Sequence, residues 1–314
     1  MKVTIVVLFM LEIHFPISGL DIPIWLPPLV SFVISYFTSM SGVSGAFLLL
    51  PFQMSVLGFT SPAVSPTNLV YNIVAIPSGV YRYFREGRML MPLTLIIIAG
   101  TLPGVIAGGF LRLEFLPDPK PFKVFAGLVL LYVGIRMFFD IAKNLKKENP
   151  STSNSTTNNL QWSAKTISLS WNHYDFEFQG TVYKCRTEGI FILSLIVGLV
   201  GGIYGIGGGA IIAPFLVAFY RLPVYTIAGA TLMGTFITSI LGVIFYQLVA
   251  PFYETSAMIV SPDWALGVLF GIGGMLGVYL GAKTQKYVSA KWLKLILGLT
   301  LLFVALSYII GYFI

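Results

Sequence analysis

Charge is what this chain lacks most. Only 10% of its 314 residues are Asp, Glu, Lys or Arg, against about 25% in soluble domains. With 56% apolar residues and a mean hydropathy of +0.87, that deficit excludes a water-soluble domain and points to a polytopic membrane protein. The single cysteine, Cys185, excludes an internal disulfide and a cysteine-based metal cluster. His14 and His173 are too few and too far apart in the chain to suggest a zinc site. There is no Walker sequence, no H-E-x-x-H and no G-x-S-x-G, so ATP hydrolysis, zinc proteolysis and serine hydrolysis are not expected. No carboxylate falls in the middle of a core apolar run, which removes support for a pump-like proton path. The composition therefore predicts no enzyme, no catalytic residue, no metal and no cofactor.

The net charge of +7 does not indicate nucleic acid, because the basic residues sit in short loops between apolar runs, where the positive-inside rule puts them. The expected partner is a lipid bilayer, and a homo-oligomer is compatible with these residues. Eight apolar segments run at about 29–57, 63–83, 92–111, 122–142, 190–220, 224–250, 264–282 and 292–313. Most approach the ~20 residues that span a bilayer. The chain divides into an N-terminal interfacial or anchoring segment (1–28), a first transmembrane repeat (29–143), a cytoplasmic polar linker and β insert (144–189) and a second repeat (190–314). Lys2 and Val3–Leu11 resemble a signal peptide, but no A-x-A site follows, which favours a retained interfacial or short anchoring helix. In the insert, 149–159 is a polar linker, while Thr166–Trp171, Tyr174–Phe178 and Thr181–Cys185 predict a small β-hairpin-like unit. Asn154 begins an N-glycosylation sequon, which matters only if the insert is extracytoplasmic. Arg136 and Asp140, four apart near a segment end, read as an interfacial pair.

The repeat rests on a register of 163 residues. Gly42-Val43-Ser44-Gly45 leading to Pro51-Phe52 aligns with Gly205-Ile206-Gly207-Gly208-Gly209 leading to Pro214-Phe215. Without a gap, the same register pairs Leu69 with Leu232, Gly79 with Gly242, Val80 with Val243 and Tyr83 with Tyr246. Gly104/Gly108 and Gly277/Gly281 repeat a G-x-x-x-G spacing that lets membrane helices pack closely. Arg82, Arg85 and Arg88, the basic residues around the insert, and Lys283, Lys286, Lys291 and Lys294 mark the inside. Residues 247–263 have no basic residue and carry Glu254 and Asp263, which marks the outside. Equivalent loops then fall on opposite sides, so the halves form an inverted repeat, and 190–220 must be re-entrant or two-piece. Residues 112–123 fit least well, since Arg112, Lys120 and Lys123 would lie outside with Glu114 and Asp118.

The glycine runs are the first candidate site. Gly205–Ala210 contains a degenerate G-x-G-x-x-A, but no strand and no βαβ unit precede it, which excludes a nucleotide loop. A glycine break within a membrane exposes N–H groups that must line a cavity or meet a ligand. Gly42, Gly45, Gly205, Gly207, Gly208 and Gly209 are therefore candidates for holding an anion; a tight helix crossing is the competing explanation. Asn68 and Asn72 share a helical face and align with Thr231 and Thr235, with Ser239 one turn on. Such a face suits an oxyanion or, alternatively, interhelical hydrogen bonding.

At Tyr204–Gly209 with Pro214, at the weaker copy Gly42–Pro51, and at Gly277-Val-Tyr-Leu-Gly281-Ala282, the chain resembles the TauE/SafE family of sulfite and organosulfonate exporters, also called the toluenesulfonate uptake permease family. The resemblance covers about 29–313 and implies passage of sulfur oxyanions or small organic acids across the cytoplasmic membrane. Ser44 and Ala46 stand where the second copy has Gly207 and Gly209, so a shared site would be asymmetric. The expected function is a secondary carrier for small anions, sulfite or a sulfonate foremost, by alternating access between the halves. An anion channel and a membrane anchor docking through the insert are the alternatives.

Overall fold

The computed structural model describes residues 12–145, 164–255, 258–288 and 290–313. The linker 149–159 with its sequon and the run Val3–Leu11 lie outside the described residues. Among the described residues the apolar segments fold into two series of five helices. The first holds α1 (Leu26–Ser39), α2 (Ala46–Ser55), α3 (Val64–Arg85), α4 (Met91–Phe115) and α5 (Pro119–Leu145). The second holds α6 (Thr187–Tyr204), α7 (Ile212–Tyr220), α8 (Val224–Tyr253), α9 (Trp264–Thr284) and α10 (Ala290–Phe313). Four of them, α4, α6, α8 and α9, are long and apolar enough to cross a membrane. The outermost positions are apolar (Leu95, Leu248, Leu276, Phe303), while Asn68, Asn72, Thr231 and Thr235 are fully buried. That is the reverse of a water-soluble domain and fits lipid as the surrounding solvent. The protein is an all-helical polytopic membrane protein with a small sheet in its middle.

The duplication is written into the backbone as well as the sequence. Gly42 (φ +71°) and Gly205 (φ +76°) end α1 and α6 in the left-handed region, 163 residues apart. Gly58 (φ +77°) and Arg221 (φ +55°) follow α2 and α7 at the same separation. Arg221 keeps the turn although a non-glycine there costs about 1–2 kcal/mol. Packing repeats too: α4 lies against α6 as α9 lies against α1, and α4 against α8 as α9 against α3. A Cβ on Gly104 would sit 2.5 Å from the Leu195 carbonyl oxygen, and one on Gly277 would sit 2.4 Å from that of Phe32. Leu195 and Phe32 are themselves 163 apart, so both G-x-x-x-G faces serve one kind of close crossing.

Two opposite ends are defined by α3, whose 22 residues rise about 33 Å. At its start, the Ala63 amide donates to the Ile259 carbonyl (3.1 Å) and the Asp263 amide to Thr67 Oγ1 (2.8 Å). Asp263 also caps α9 by accepting from the Leu266 amide (3.1 Å). The Ser261 hydroxyl, with the amides of Ser261 and Val260, holds the Glu254 carboxyl below its ordinary pKa, so this end stays acidic. At the finish of α3, Arg88 pairs with Glu86 and donates to Gln285 Oε1 (2.7 Å) and the Ala282 carbonyl (3.1 Å). There the Ala164 amide donates to the Gly87 carbonyl (3.0 Å), tying the insert to the Arg82–Arg88 turn.

The insert is a three-stranded antiparallel sheet, β3 (Ala164–Leu169), β4 (Tyr174–Phe178) and β5 (Thr181–Cys185). Gln179 (φ 52°) and Gly180 (φ +74°) form the two-residue turn that matches strand twist. Past the undescribed run Val3–Leu11, Glu12–Phe15 and Leu20–Pro23 form a two-stranded hairpin, β1 and β2, not anticipated from the sequence. Pro16 and Gly19 (φ +67°) lie in its turn, and Ser18 Oγ donates to Asp263 at the acidic end (2.9 Å).

Candidate functional site

The two glycine breaks, 40–45 and 205–211, meet in the interior against α3 and α8. Each break is held by the other half's third helix. Asn68 Nδ2 donates to the Gly205 carbonyl (3.3 Å) and, in its own half, to that of Ala46 (3.0 Å). Thr231 Oγ1 donates to the Gly42 carbonyl (2.8 Å). Asn68 and Thr231 are repeat equivalents, as are Gly205 and Gly42, so one bond is made twice. Asn72 extends the brace, with Nδ2 donating to the Ile206 carbonyl (2.9 Å) and Ser239 Oγ (3.1 Å), and Oδ1 accepting from Ser44 Oγ.

All ten sequence-predicted positions are therefore brought together, but their roles differ. In this conformation the protons of Asn68, Asn72 and Thr231 are spent on the breaks. Thr235 Oγ1 donates to the Thr231 carbonyl of its own helix (2.9 Å) and not toward the crossing. Gly208 donates its amide to Thr238 Oγ1 (3.0 Å). Gly209 lets the break lie on α8: a Cβ there would be 2.5 Å from the Thr231 oxygen. The buried amides of Ser44, Gly45, Gly207 and Gly209 meet no acceptor among the described residues. A buried donor without a partner costs about 1–3 kcal/mol, and more in a bilayer core. Ser44 and Gly207 are repeat equivalents, so each half leaves one such N–H at its break. Main-chain donors left without an acceptor are the groups that elsewhere in proteins meet negative charge.

One buried cation escaped the sequence reading, which grouped it with a loop. Arg112 is 0% exposed, and Nε, Nη1 and Nη2 all lack a hydrogen-bond partner among the described residues. Its guanidinium carbon lies 3.7 Å from the Phe122 ring centroid. Such stacking yields about 2 kcal/mol when desolvated, less than the several kcal/mol that burying the ion costs. The signal was present in the series Gly100, Gly104, Gly108, Arg112, whose four-residue steps keep one helical face. The matching series in α9 is Gly273, Gly277, Gly281, Gln285.

Comparison with known proteins agrees with this architecture. The family model described as "Sulfite exporter TauE/SafE" matches residues 28–308. A "Probable membrane transporter protein YunE" of Bacillus subtilis is 20% identical over 279 residues, covering 86% of this chain and 92% of that protein. Two probable membrane transporter proteins of Xylella fastidiosa strains are 23% and 24% identical, each covering 88% of this chain and 91% of its own length. No solved structure matches. With its duplicated, glycine-broken helices and a match over nearly its whole length, the chain belongs to the TauE/SafE family and is a membrane transporter, not an enzyme.

Proposed function

We propose that the protein is a secondary carrier of small oxyanions in the cell membrane, with sulfite or an organosulfonate as the leading substrate class. The halves are inserted in opposite orientation, with the Arg82–Arg88 turn and the β insert cytoplasmic. The substrate sits where the breaks cross, its charge met by the amides of Ser44, Gly45, Gly207 and Gly209. Asn68, Asn72 and Thr231 brace the breaks from the opposite half, so movement of one half against the other changes access while the donors stay in register. The observation that carries this reading is the pairing of unspent buried amides with a brace made twice across the halves. The family's description as sulfite exporters supports the substrate class.

Proteoliposomes loaded with unlabelled sulfite should take up labelled sulfite faster than empty ones, and uptake should saturate. A closed, buried crossing suits such exchange. Unitary currents through single molecules in a planar bilayer would instead make the protein an anion channel.

A further inference from the structure

The molecule buries two arginines completely at opposite ends of its helices and treats them differently. Arg88 is neutralised by Glu86 and donates to Gln285 and the Ala282 carbonyl, with only Nε lacking an acceptor among the described residues. Arg112 has none of these: its three nitrogens lack any acceptor, main-chain carbonyls included, among the described residues. Two further buried polar atoms, Tyr246 Oη and Ser65 Oγ, likewise make no geometrically closed hydrogen bond among the described residues. The Tyr246 hydroxyl faces that of Ser65 and lies within electrostatic reach of Arg112. Ser65 abuts Gly205, whose added Cβ would stand 2.4 Å from Ser65 Oγ. Phe122 and Tyr204 wall the cluster with rings 6.1 Å apart.

Five guanidinium N–H donors and two hydroxyls thus share a buried region near a glycine break, with no carboxylate paired to the cation among the described residues. A planar, permanently charged fork with unspent donors matches a tetrahedral or pyramidal oxyanion. The repeat strengthens the assignment. Tyr83, the equivalent of Tyr246, faces Arg88 at 4.7 Å, and Gln285, the equivalent of Arg112, is bonded to that same Arg88. One end of the fold carries an arginine paired with a carboxylate, and the other carries its unpaired counterpart.

We infer that Arg112, with the hydroxyls of Tyr246 and Ser65, forms an oxyanion-binding site at the Glu254 end of the second break. The ligand is a sulfur or phosphorus oxyanion, either a free solute or the phosphate of a lipid headgroup. This site stands on burial and missing acceptors alone, and so goes beyond the carrier reading.

The test is calorimetric titration of purified protein in a phosphate-free maltoside detergent with sulfite and with sulfate, chloride serving as control. Wild type should bind an oxyanion, and Arg112→Met should raise Kd about 30-fold or more. Tyr246→Phe should weaken binding several-fold. Without ligand, the melting midpoint of Arg112→Met should equal or exceed that of wild type, because an unpaired buried charge has been removed. Unchanged binding in Arg112→Met would overturn the proposal. So would a wild type that binds neither anion and, by phosphorus assay, retains no lipid phosphate dependent on Arg112. Lipid phosphorus lost specifically in Arg112→Met would support the site and identify a headgroup as its ligand. Should Arg112→Met fail to fold, unaltered binding in folded Tyr246→Phe would overturn it as well. Counterflow measured in parallel separates the two readings. Exchange by an Arg112→Met variant that binds like wild type would sink this site and leave the carrier standing. Binding without exchange in wild type would do the reverse.

Discussion

Gly209→Ala is expected to abolish sulfite exchange while leaving membrane-inserted protein. The new methyl carbon would lie 2.5 Å from the Thr231 carbonyl oxygen and 2.6 Å from the Thr235 amide nitrogen. Both are main-chain atoms of α8 and cannot rotate aside, so the break must move off the helix. Overpacking of this kind costs about 1–3 kcal/mol, and the same amount taken from substrate binding weakens it about 5–150-fold. The repeat-equivalent residue, Ala46, already carries a methyl because it opens α2, so the effect belongs to the second half. Counterflow per folded molecule, judged by a monodisperse size-exclusion profile, is the measurement. Near-normal exchange would remove the second break from the site.

Asn72→Asp should be at least as damaging, for two separable reasons. It replaces the amide nitrogen that serves the Ile206 carbonyl and Ser239 with an oxygen that cannot donate when ionised. Each buried group left without its partner costs about 1–3 kcal/mol. It also adds negative charge against the anion. Asn72→Ala loses the same donors and adds no charge, so it separates packing from electrostatics. Exchange should fall further in Asn72→Asp than in Asn72→Ala, although Asp is much closer to Asn in shape. Equal or greater flux through the Asp variant would show that no anion passes this point.

Much of the fold was legible because the bilayer simplifies the code. Apolar runs such as 264–282 became helices within a few residues of their expected ends, while period-two alternation located β4 and the Gln179-Gly180 turn led to β5. The breaks were legible as glycines, since left-handed turns inside apolar text have few other residues to use. What sequence could not supply was facing. Asn68 and Asn72 share a helical side with their neighbours, but only packing shows that they reach the opposite half's break. Thr235 has the right spacing yet bonds its own helix, an option open to any buried threonine. Arg112 was misplaced because a cation near a helix end reads as loop, whereas α4 continues to Phe115 and buries it. The hairpin 12–23 was missed because its strands are only four residues each, too short for alternation to outweigh the apolar run before them.

Opposite insertion of the two halves is tested most directly by where their equivalent loops react. Cysteines placed singly at Arg85 and Thr255, in a Cys185→Ser background, can be probed in intact cells with an impermeant maleimide. Cys185 itself is buried with its thiol pushed up to about 11, so background labelling is low even before replacement. The position at 255 should label in intact cells, and the position at 85 only after permeabilisation. Labelling of both from the same side would contradict the inverted arrangement and the crossing site built on it.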